Sequence, residues 1–270
     1  MSSADPTFSV VCPTFNSADC VGETLNSVLA QTWKPFELIV SDDGSQDGTV
    51  RIVKELLSSR QDVRWEVVEG GHRGPGAARN AGIKHATGEW IAFIDSDDLW
   101  APQKLERVAE SIRRHPDANL FCHSEEHRRM DGTRAVLDYQ ARYDPSLPLS
   151  AQLYHANLFS TSAVTCRRSL LCEAGLFDVS LMSCQDYELW VRMAPWIRPQ
   201  FIGDVLGSYC DRPGNITSSG VFKHWKNFTR IAIRHRDKTT LGGFLYRLAR
   251  LAVSFGMRGV LRTAGSRSAG

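Results

Sequence analysis

Two patterns of apolar positions alternate along the first half of the chain. Short, mainly apolar runs typical of buried parallel strands occur at residues 8–12, 37–41, 63–68, 90–94 and 119–122. Between these runs, apolar residues recur at helical spacing within residues 21–29, 50–57, 77–86 and 105–112. Strands that alternate with helices of this length predict βαβ units, and therefore an α/β fold with a mainly parallel sheet.

The pattern becomes less regular in the second half. Residues 125–160 mix charges, prolines and aromatic residues without a clear period, and we expect mostly loops there. Further elements are predicted as short helices at 169–174 and 187–193, a strand within 200–208, and a helix from about Leu241 whose apolar stripe is Phe244, Leu248, Leu251 and Phe255. We therefore expect one domain over residues 1–228, with halves at 8–124 and 125–228, and a basic helical extension over 229–270.

Composition narrows the class of protein. Of the 270 residues, 42% are hydrophobic and 23% are charged, which is typical of a globular protein and excludes disordered or fibrous architectures. The start of the chain is polar and no run of about 18 apolar residues occurs, so we expect neither a secretion signal nor a membrane-spanning helix. Seven cysteines without paired CxxC spacing argue against a zinc site or a disulfide framework and favour a reducing, cytoplasmic location.

Charge is distributed unevenly along the chain. Residues 230–270 carry nine lysines and arginines against one acidic residue, Asp237, so the overall charge of +2 divides into +8 there and −6 in residues 1–229. This segment either packs its apolar side on the domain or lies as a peripheral helix on anionic lipid at the inner face of the cell membrane. Nucleic-acid binding is a third interpretation, but no module of aromatic and basic residues supports it, and we expect no nucleic-acid partner.

Distinctive polar residues follow three of the predicted strands. Residues 13–16 follow the first strand, Asp42 and Asp43 the second, and residues 95–98 the fourth. In open α/β sheets, ligands bind at the carboxyl ends of the strands. The three carboxylates within 95–98 repel one another, and a hard divalent cation such as Mg²⁺ or Mn²⁺ would offset this repulsion. The alternatives are a solvated acidic turn or a helix cap at 95–98 and an Asx turn at 42–43.

Six segments, in their order and spacing, resemble the family 2 glycosyltransferases, which have the GT-A fold. They are Val10–Asn16, Ser27–Thr32, Leu38–Ser45, Gly76–Gly82, Ala86–Glu89 and Trp90–Trp100. The resemblance covers residues 8 to about 124 and is patchier from 160 to 220. It implies a Rossmann-like, mostly parallel central sheet flanked by helices, here with a C-terminal helical extension. It also implies a nucleotide-diphosphosugar donor of the UDP type.

The same resemblance assigns donor-binding roles at the strand ends. It implies contacts to the nucleoside from Pro13, Thr14, Phe15 and Asn16, to the base from Asp43, and to the ribose or sugar from Asp95 and Ser96. Asp42 is implied to assist this pocket or to cap its turn. Arg79 stands where the family places a donor-contacting arginine, with a surface ion pair as the alternative. Asp97 is implied to ligate Mn²⁺ or Mg²⁺, and Asp98 to be a second ligand or a helix cap.

A general base is the remaining requirement of such a reaction, because the acceptor hydroxyl must lose its proton. The segment Ser183–Trp190 resembles the family's acidic pair followed by an aromatic helix, with Gln185 in place of the first acid. Asp186 matches the position of the base, and an N-cap aspartate is the alternative. Glu188 is a second candidate base, although helix geometry rotates it about 200° away from Asp186.

One later segment departs from the family pattern. Tyr209–Ser219 resembles a family segment in which a histidine commonly stands, but this chain has Arg212 at that place. A histidine metal ligand is therefore in doubt, and Arg212 is expected to contact the donor diphosphate directly. His224 is close in sequence, but a lone histidine beside a tryptophan is more often a packing residue.

These features predict a metal-dependent, inverting glycosyltransferase that acts in polysaccharide or glycolipid assembly. One base without a nucleophilic carboxylate suits a single displacement onto a saccharide or lipid-linked saccharide. Two other functions remain open at this stage. One is a catalytically degenerate subunit that binds a sugar nucleotide, suggested by Gln185 and Arg212. The other is a haloacid-dehalogenase-like phosphatase, suggested by the apolar strand before Asp95 and Asp97.

Overall fold

The computed structural model describes residues 5–212 and 221–267, without the side chains of 221–223 and 255–267. Its strands are β1 (Phe8–Thr14), β2 (Phe36–Asp42), β3 (Arg64–Glu69), β4 (Trp90–Phe93), β5 (Leu99–Trp100), β6 (Leu120–Arg128), β7 (Arg134–Leu137), β8 (Val164–Arg167) and β9 (Pro199–Cys210). Its helices are α1 (Val21–Leu29), α2 (Thr49–Ser58), α3 (Pro75–His85), α4 (Lys104–Arg114), α5 (Leu149–His155), α6 (Arg168–Glu173), α7 (Gln185–Met193), α8 (Val221–Arg234) and α9 (Leu241–Arg267).

The strands form one sheet in the order β3-β2-β1-β4-β8-β6-β9-β5, with β7 beside β6. Strands β1, β2, β3 and β4 are mutually parallel, and β9 is parallel to β6. Strand β8 runs antiparallel between β4 and β6 and so joins the two halves. The predicted α/β fold class with a mostly parallel sheet flanked by helices is confirmed.

Helices cover both faces of the sheet, which explains why β1 and β2 are mainly apolar. Every residue of these two strands is buried. Successive side chains point to opposite faces, so Val10 packs with residues of α1, α2 and α4, whereas Val11 packs with residues of α3, α6 and α7. The strands and helices predicted for residues 8–122 are all present, with ends shifted by a few residues.

The expectation of mostly loops over 125–160 is wrong in part. Strand β6 continues to Arg128, β7 forms a hairpin with it, and α5 covers Leu149–His155. The end of β6 reads Glu125-Glu126-His127-Arg128, which carries no apolar alternation, and it is held in the sheet by β7 and β9 on its two sides. The short strand β8 and helix α8 were also not predicted.

The C-terminal helices pack against the rest of the chain. The expected boundary at 228/229 lies inside α8. Leu251, Phe244 and Leu248 of the predicted stripe pack with Tyr154 of α5, while the side chain of Phe255 lies outside the described residues. Arg247 of α9 is buried and donates to the backbone carbonyl of His155 over 2.5 Å. None of the helices in the described ranges is long and apolar enough to cross a membrane.

A buried ionic network joins α7 to α8. Glu188 is 1% exposed, accepts a hydrogen bond from Arg192 at 2.9 Å, and lies 3.1 Å from Nε2 of His235. Burial raises the pKa of Glu188, but the hydrogen bonds from His235 and Arg192 outweigh it and lower this pKa to about 2. The interpretation of Glu188 as a second candidate base is therefore wrong, because its carboxylate is committed to holding the two helices together.

Close packing of α3 on the sheet predicts the effect of Gly82→Ala. An added Cβ would lie 2.5 Å from Cγ1 of Val11 and 3.2 Å from Oγ of Ser41. We expect this variant to lose about 1–3 kcal/mol of unfolding free energy in urea titrations. Gly22→Ala in α1 is the matched control, because its Cβ meets no atom within 4 Å outside its own helix. Equal stability of the two variants would contradict the described packing.

The network around Glu188 predicts a pH-dependent effect of Glu188→Gln. Since the folded-state pKa lies below the ordinary value of 4.5, this carboxylate stabilises the fold above about pH 4.5, and the contribution disappears as the pH falls towards 2. We expect the variant to lose about 3 kcal/mol near neutral pH and to approach the unmodified chain near pH 2. Glu55→Gln, in an exposed pair with Arg51, should change stability by less than about 0.5 kcal/mol. Parallel pH profiles for the two variants would contradict the network.

Candidate active site

The three polar strand ends converge, as the sequence predicts. Residue Thr14 at the end of β1 lies opposite Asp42 at the end of β2, and its hydroxyl donates to Oδ1 of Asp42 over 2.8 Å. The segment after β4 reaches the same place, because the hydroxyls of Ser96 and Ser17 are 2.8 Å apart. The carboxyl edge of β1, β2 and β4 is therefore one continuous polar surface.

Asp42 closes its own turn. Its Oδ2 accepts the backbone N–H groups of Gly44 and Ser45 at 3.0 and 2.7 Å, and its Oδ1 accepts the hydroxyl of Ser45 at 2.6 Å. The side chain is buried, and these bonds are those of an Asx turn. Of the two roles implied for Asp42, the structure therefore shows the turn-capping one.

Asp43 holds the glycine-rich loop before α3. Its two carboxylate oxygens accept the backbone N–H groups of Arg73 and Gly74 at 2.7 and 2.8 Å. Gly74 has a φ of 93°, a left-handed conformation that glycine adopts without strain. The carboxylate of Asp43 thus fixes the backbone of the glycine-rich loop at Arg73 and Gly74.

An aromatic pair stands at the mouth of this region. The ring of Phe15 is 41% exposed and stacks on His72, with centroids 4.3 Å apart and an angle of 26° between the planes. Oδ1 of Asn16 accepts the backbone N–H of Gln46 at 2.9 Å and so ties this corner to the loop after β2. Pro13 is buried within β1. Sequence reasoning missed His72, whose only signal was an aromatic ring inside a glycine-rich loop.

Arg79 occupies the centre of the site. It is 5% exposed, and its Nη2 donates to Oδ1 of Asp95 over 2.5 Å. Its Nε and Nη1 are buried and have no hydrogen-bond partner among the described residues. The negative charges of Asp95, Asp186 and Asp97 raise the pKa of Arg79 against the effect of burial. The alternative of an ion pair is thus present, but not on the surface as far as Arg79 is concerned, because its guanidinium is buried while Asp95 is 31% exposed.

Asp97 carries a negative charge that its surroundings disfavour. Burial and then the nearby charge of Asp95 raise its pKa to about 6, although Arg212 and Arg79 act in the opposite direction. Within the part of the chain that the structure describes, no group of three or more His, Cys, Asp or Glu side chains is arranged to hold a metal ion. The oxygen donor of Asp97 fits Mg²⁺ or Mn²⁺, and further ligands for such an ion would come from bound phosphate oxygens.

Asp98 is engaged in the interior of the fold. Its Oδ2 accepts the hydroxyl of Ser162 at 2.5 Å, and its Oδ1 accepts the backbone N–H of Cys210 at 3.1 Å. Burial raises the pKa of this carboxyl well above its usual range. The helix-cap alternative is wrong, because α4 begins at Lys104 after an N-cap at Gln103.

Asp186 reaches the same centre from the other half of the chain. It is the second residue of α7 and is preceded by the N-cap residue Cys184, so the N-cap alternative is wrong. Its Oδ2 accepts a hydrogen bond from Nδ2 of Asn157 at 3.3 Å. Burial raises the pKa of Asp186 above its ordinary value, although the charge of Arg79 acts in the opposite direction. The neighbouring Gln185 is buried, and its Oε1 has no partner among the described residues.

Arg212 is a second arginine close to Asp97. It donates to Glu23 of α1 over 3.2 Å, and its charge lowers the pKa of Asp97. The following part of the segment that resembles the family, residues 213–219, is outside the described residues. His224 lies with Nδ1 3.6 Å from Sγ of Cys184, which places it against the start of α7 as a packing residue.

Comparison with known proteins agrees with this architecture. The family model described as glycosyl transferase family 2 matches residues 9–172, more than half of the chain. An uncharacterized glycosyltransferase of Rickettsia conorii is 31% identical over 199 residues, which is 70% of this chain and 30% of that protein. Glycosyltransferase AglE of Haloferax volcanii is 30% identical over 219 residues, 79% of this chain and 70% of that protein. The chain thus spans less than a third of the rickettsial relative.

Two solved structures share the fold. TarS of S. aureus in complex with UDP-GlcNAc has a TM-score of 0.72 and 24% identity over 91% of this chain and 71% of that chain. The mannosyltransferase PcManGT of Pyrobaculum calidifontis, in complex with GDP-Man and Mn²⁺, has a TM-score of 0.66 and 18% identity. The match covers 99% of this chain and 82% of that chain. These likenesses show that the chain shares their fold, which is the GT-A fold. The family match shows that this chain belongs to glycosyl transferase family 2.

Proposed function

We propose that this chain transfers a sugar from a nucleotide-diphosphosugar of the UDP type to an acceptor hydroxyl, with inversion and with a divalent cation. The observation that carries the proposal is the buried Arg79 among Asp95, Asp97 and Asp186. Its unpartnered N–H groups suit the phosphate oxygens of a donor. The family match excludes the phosphatase alternative. In addition, the first aspartate of that motif, Asp95, is paired with Arg79 and would make a poor nucleophile.

The donor is proposed to lie along the carboxyl edge of the sheet. Phe15 offers its exposed ring to the base, beside Asp43, and Pro13, Thr14, Asn16 and Asp42 shape the surrounding wall. Ser96 and Asp95 would face the ribose and sugar. Arg79 and Arg212 would flank the diphosphate, because both lie close enough to change the pKa of Asp97.

Asp97 is the residue proposed to hold Mn²⁺ or Mg²⁺, with donor phosphate oxygens completing the ligands. When bound, such an ion stabilises the negative charge that develops on the departing nucleoside diphosphate. The complexes of TarS with UDP-GlcNAc and of PcManGT with GDP-Man and Mn²⁺ support a donor of this class and a divalent cation. Asp98 is a weaker choice of ligand because both of its oxygens already accept hydrogen bonds.

Asp186 is proposed to take the proton from the acceptor hydroxyl. Asn157 orients its carboxylate, burial raises its pKa and makes it a stronger base than an exposed aspartate, and the charge of Arg79 opposes part of that rise. A single displacement by the deprotonated hydroxyl inverts the anomeric configuration, which the proton coupling constants of the product would report. The acceptor is proposed to be a saccharide or a lipid-linked saccharide in polysaccharide or glycolipid assembly.

Asp186→Asn separates catalysis from binding. We expect transfer to fall by at least about 10²-fold, because the amide cannot accept the proton. The affinity for UDP with Mn²⁺, measured by calorimetry, should change by less than about 2-fold, because the donor edge is untouched. An equal loss of affinity would assign Asp186 to the donor site. Binding without turnover by the unmodified chain would favour the degenerate subunit suggested by Gln185 and Arg212.

Asp97→Ala tests the cation site. We expect the Mn²⁺-dependent part of UDP binding to disappear in calorimetry, because the protein's carboxylate ligand is lost. Asp19→Ala, which removes a carboxylate from the loop before α1, is the control and should leave the Mn²⁺ dependence intact. An unchanged Mn²⁺ titration for the Asp97 variant would remove this residue from the coordination sphere.

Helix α9 is proposed to rest on an anionic membrane surface. Its inner side packs on the domain, while Leu241, Leu245 and Val253, at intervals of four and eight residues, are 74%, 56% and 59% exposed. Tyr246 and Arg250 lie beside them and are exposed as well. An exposed apolar side on a segment with a net charge of +8 is typical of interfacial helices.

Vesicle sedimentation tests the membrane contact. The chain should bind phosphatidylcholine vesicles that contain phosphatidylglycerol and bind pure phosphatidylcholine much more weakly. Leu245→Glu should weaken the binding by about 10-fold, because the glutamate places a charge on the inserted side. Leu147→Glu, at an exposed leucine outside the C-terminal helices, is the matched control and should bind as the unmodified chain does. Equal binding of the two variants would contradict the contact.

A further inference from the structure

One buried hydroxyl connects the two ends of the Asp95–Asp98 turn. Ser162 lies in a short 3₁₀ turn, Thr161–Ala163, directly before β8, and it is 1% exposed. Its Oγ accepts the backbone N–H of Asp95 at 3.0 Å and donates to Oδ2 of Asp98 at 2.5 Å. The hydroxyl therefore acts as acceptor and donor at once, which alanine cannot do.

The same turn is anchored at further points. The second carboxylate oxygen of Asp98 accepts the backbone N–H of Cys210 at the end of β9 over 3.1 Å. The carbonyl of Ser162 accepts Nε1 of Trp100 at 2.9 Å, directly after the turn. From the opposite side, Oγ1 of Thr24 in α1 lies 2.8 Å from the backbone carbonyls of both Ser96 and Asp98. The turn is thus held between α1 on one side and the strands of the second half on the other.

This anchoring matters because the residues of the turn face the donor. The backbone position of Asp95 decides whether its carboxylate meets Nη2 of Arg79, and Asp97 lies between the two ends that Ser162 holds. Loss of the hydroxyl would leave the backbone N–H of Asp95 and Oδ2 of Asp98 without this hydrogen-bond partner. We expect the turn to shift so that these groups find other partners. A displacement of about 1 Å in a site of this kind can cost 10²-fold in function.

We propose that Ser162 is a positioning residue of the donor site, acting through Asp98. The Ser162–Asp98 hydrogen bond fixes the turn so that Asp95 pairs with Arg79 and Asp97 stands where it would hold the proposed cation. This assignment rests on the proposed function, and it makes Asp98 an internal anchor and not a ligand. Ser162 belongs to the second half of the chain, so the junction at β8 contributes directly to donor binding.

Calorimetry of UDP with Mn²⁺ tests this role in a double-mutant cycle. Ser162→Ala should weaken the binding by about 10-fold or more and raise the Mn²⁺ concentration at half-saturation, read by water proton relaxation at saturating UDP. In an Asp98→Ala background, removal of the hydroxyl should cost less than in the unmodified chain, because only its hydrogen bond from the N–H of Asp95 is left to lose. Ser41→Ala is the matched control, since Ser41 is as deeply buried and its Oγ has no partner among the described residues.

A second variant keeps the test open if Ser162→Ala folds poorly. Thr24→Val removes the other hydroxyl that holds the turn while keeping the side-chain shape, and it should weaken UDP binding with Mn²⁺ several-fold. Unchanged binding in Ser162→Ala, or independent effects of the Ser162 and Asp98 substitutions, would overturn the positioning role. Absence of UDP binding by the unmodified chain would instead overturn the proposed function, and this inference with it.

Discussion

The candidate site depends on the burial of one positive charge among three negative ones. Arg79 is almost fully enclosed, pairs directly with Asp95 and lies close to Asp97 and Asp186. A buried guanidinium without these carboxylates would be strongly unfavourable, and the carboxylates without it would repel one another. Three acids surround Arg79, and Arg212 adds a second positive charge on the side of Asp97. Burial and then the charge of Asp95 still raise the pKa of Asp97, and a divalent ion at this corner would offset that negative charge.

The fold assembles these charges from elements that are far apart in sequence. The segment after β4 carries Asp95 and Asp97, helix α3 carries Arg79, and the start of α7 carries Asp186. The last of these is braced by the C-terminal helices, since Asn227 of α8 donates to both the carbonyl and the hydroxyl of Ser183, at 3.2 and 2.9 Å. Helix α8 is therefore part of the architecture that places the proposed base.

The sequence predicted the first half of the fold well because periodicity is strong where strands are buried on both faces. It predicted the second half poorly because the end of β6 is polar and owes its place to β7 and β9. The candidate site was likewise predictable only in part. The positions of the acidic residues at strand ends predicted that they share one edge of the sheet. They could not predict that the carboxylate of Asp42 accepts hydrogen bonds within its own turn, or that the carboxylate of Asp98 points into the fold. The orientation of Asp98, for example, depends on its hydrogen bonds with Ser162 and Cys210, which are distant from it in sequence.

The most direct test is a crystal of the chain soaked with UDP and MnCl₂, examined by anomalous scattering at the manganese edge. The account predicts one manganese peak bonded to a carboxylate oxygen of Asp97 and to oxygens of both phosphates, with Arg79 hydrogen-bonded to the same diphosphate. A nucleotide bound elsewhere, or a diphosphate at this edge with no manganese beside Asp97, would contradict it.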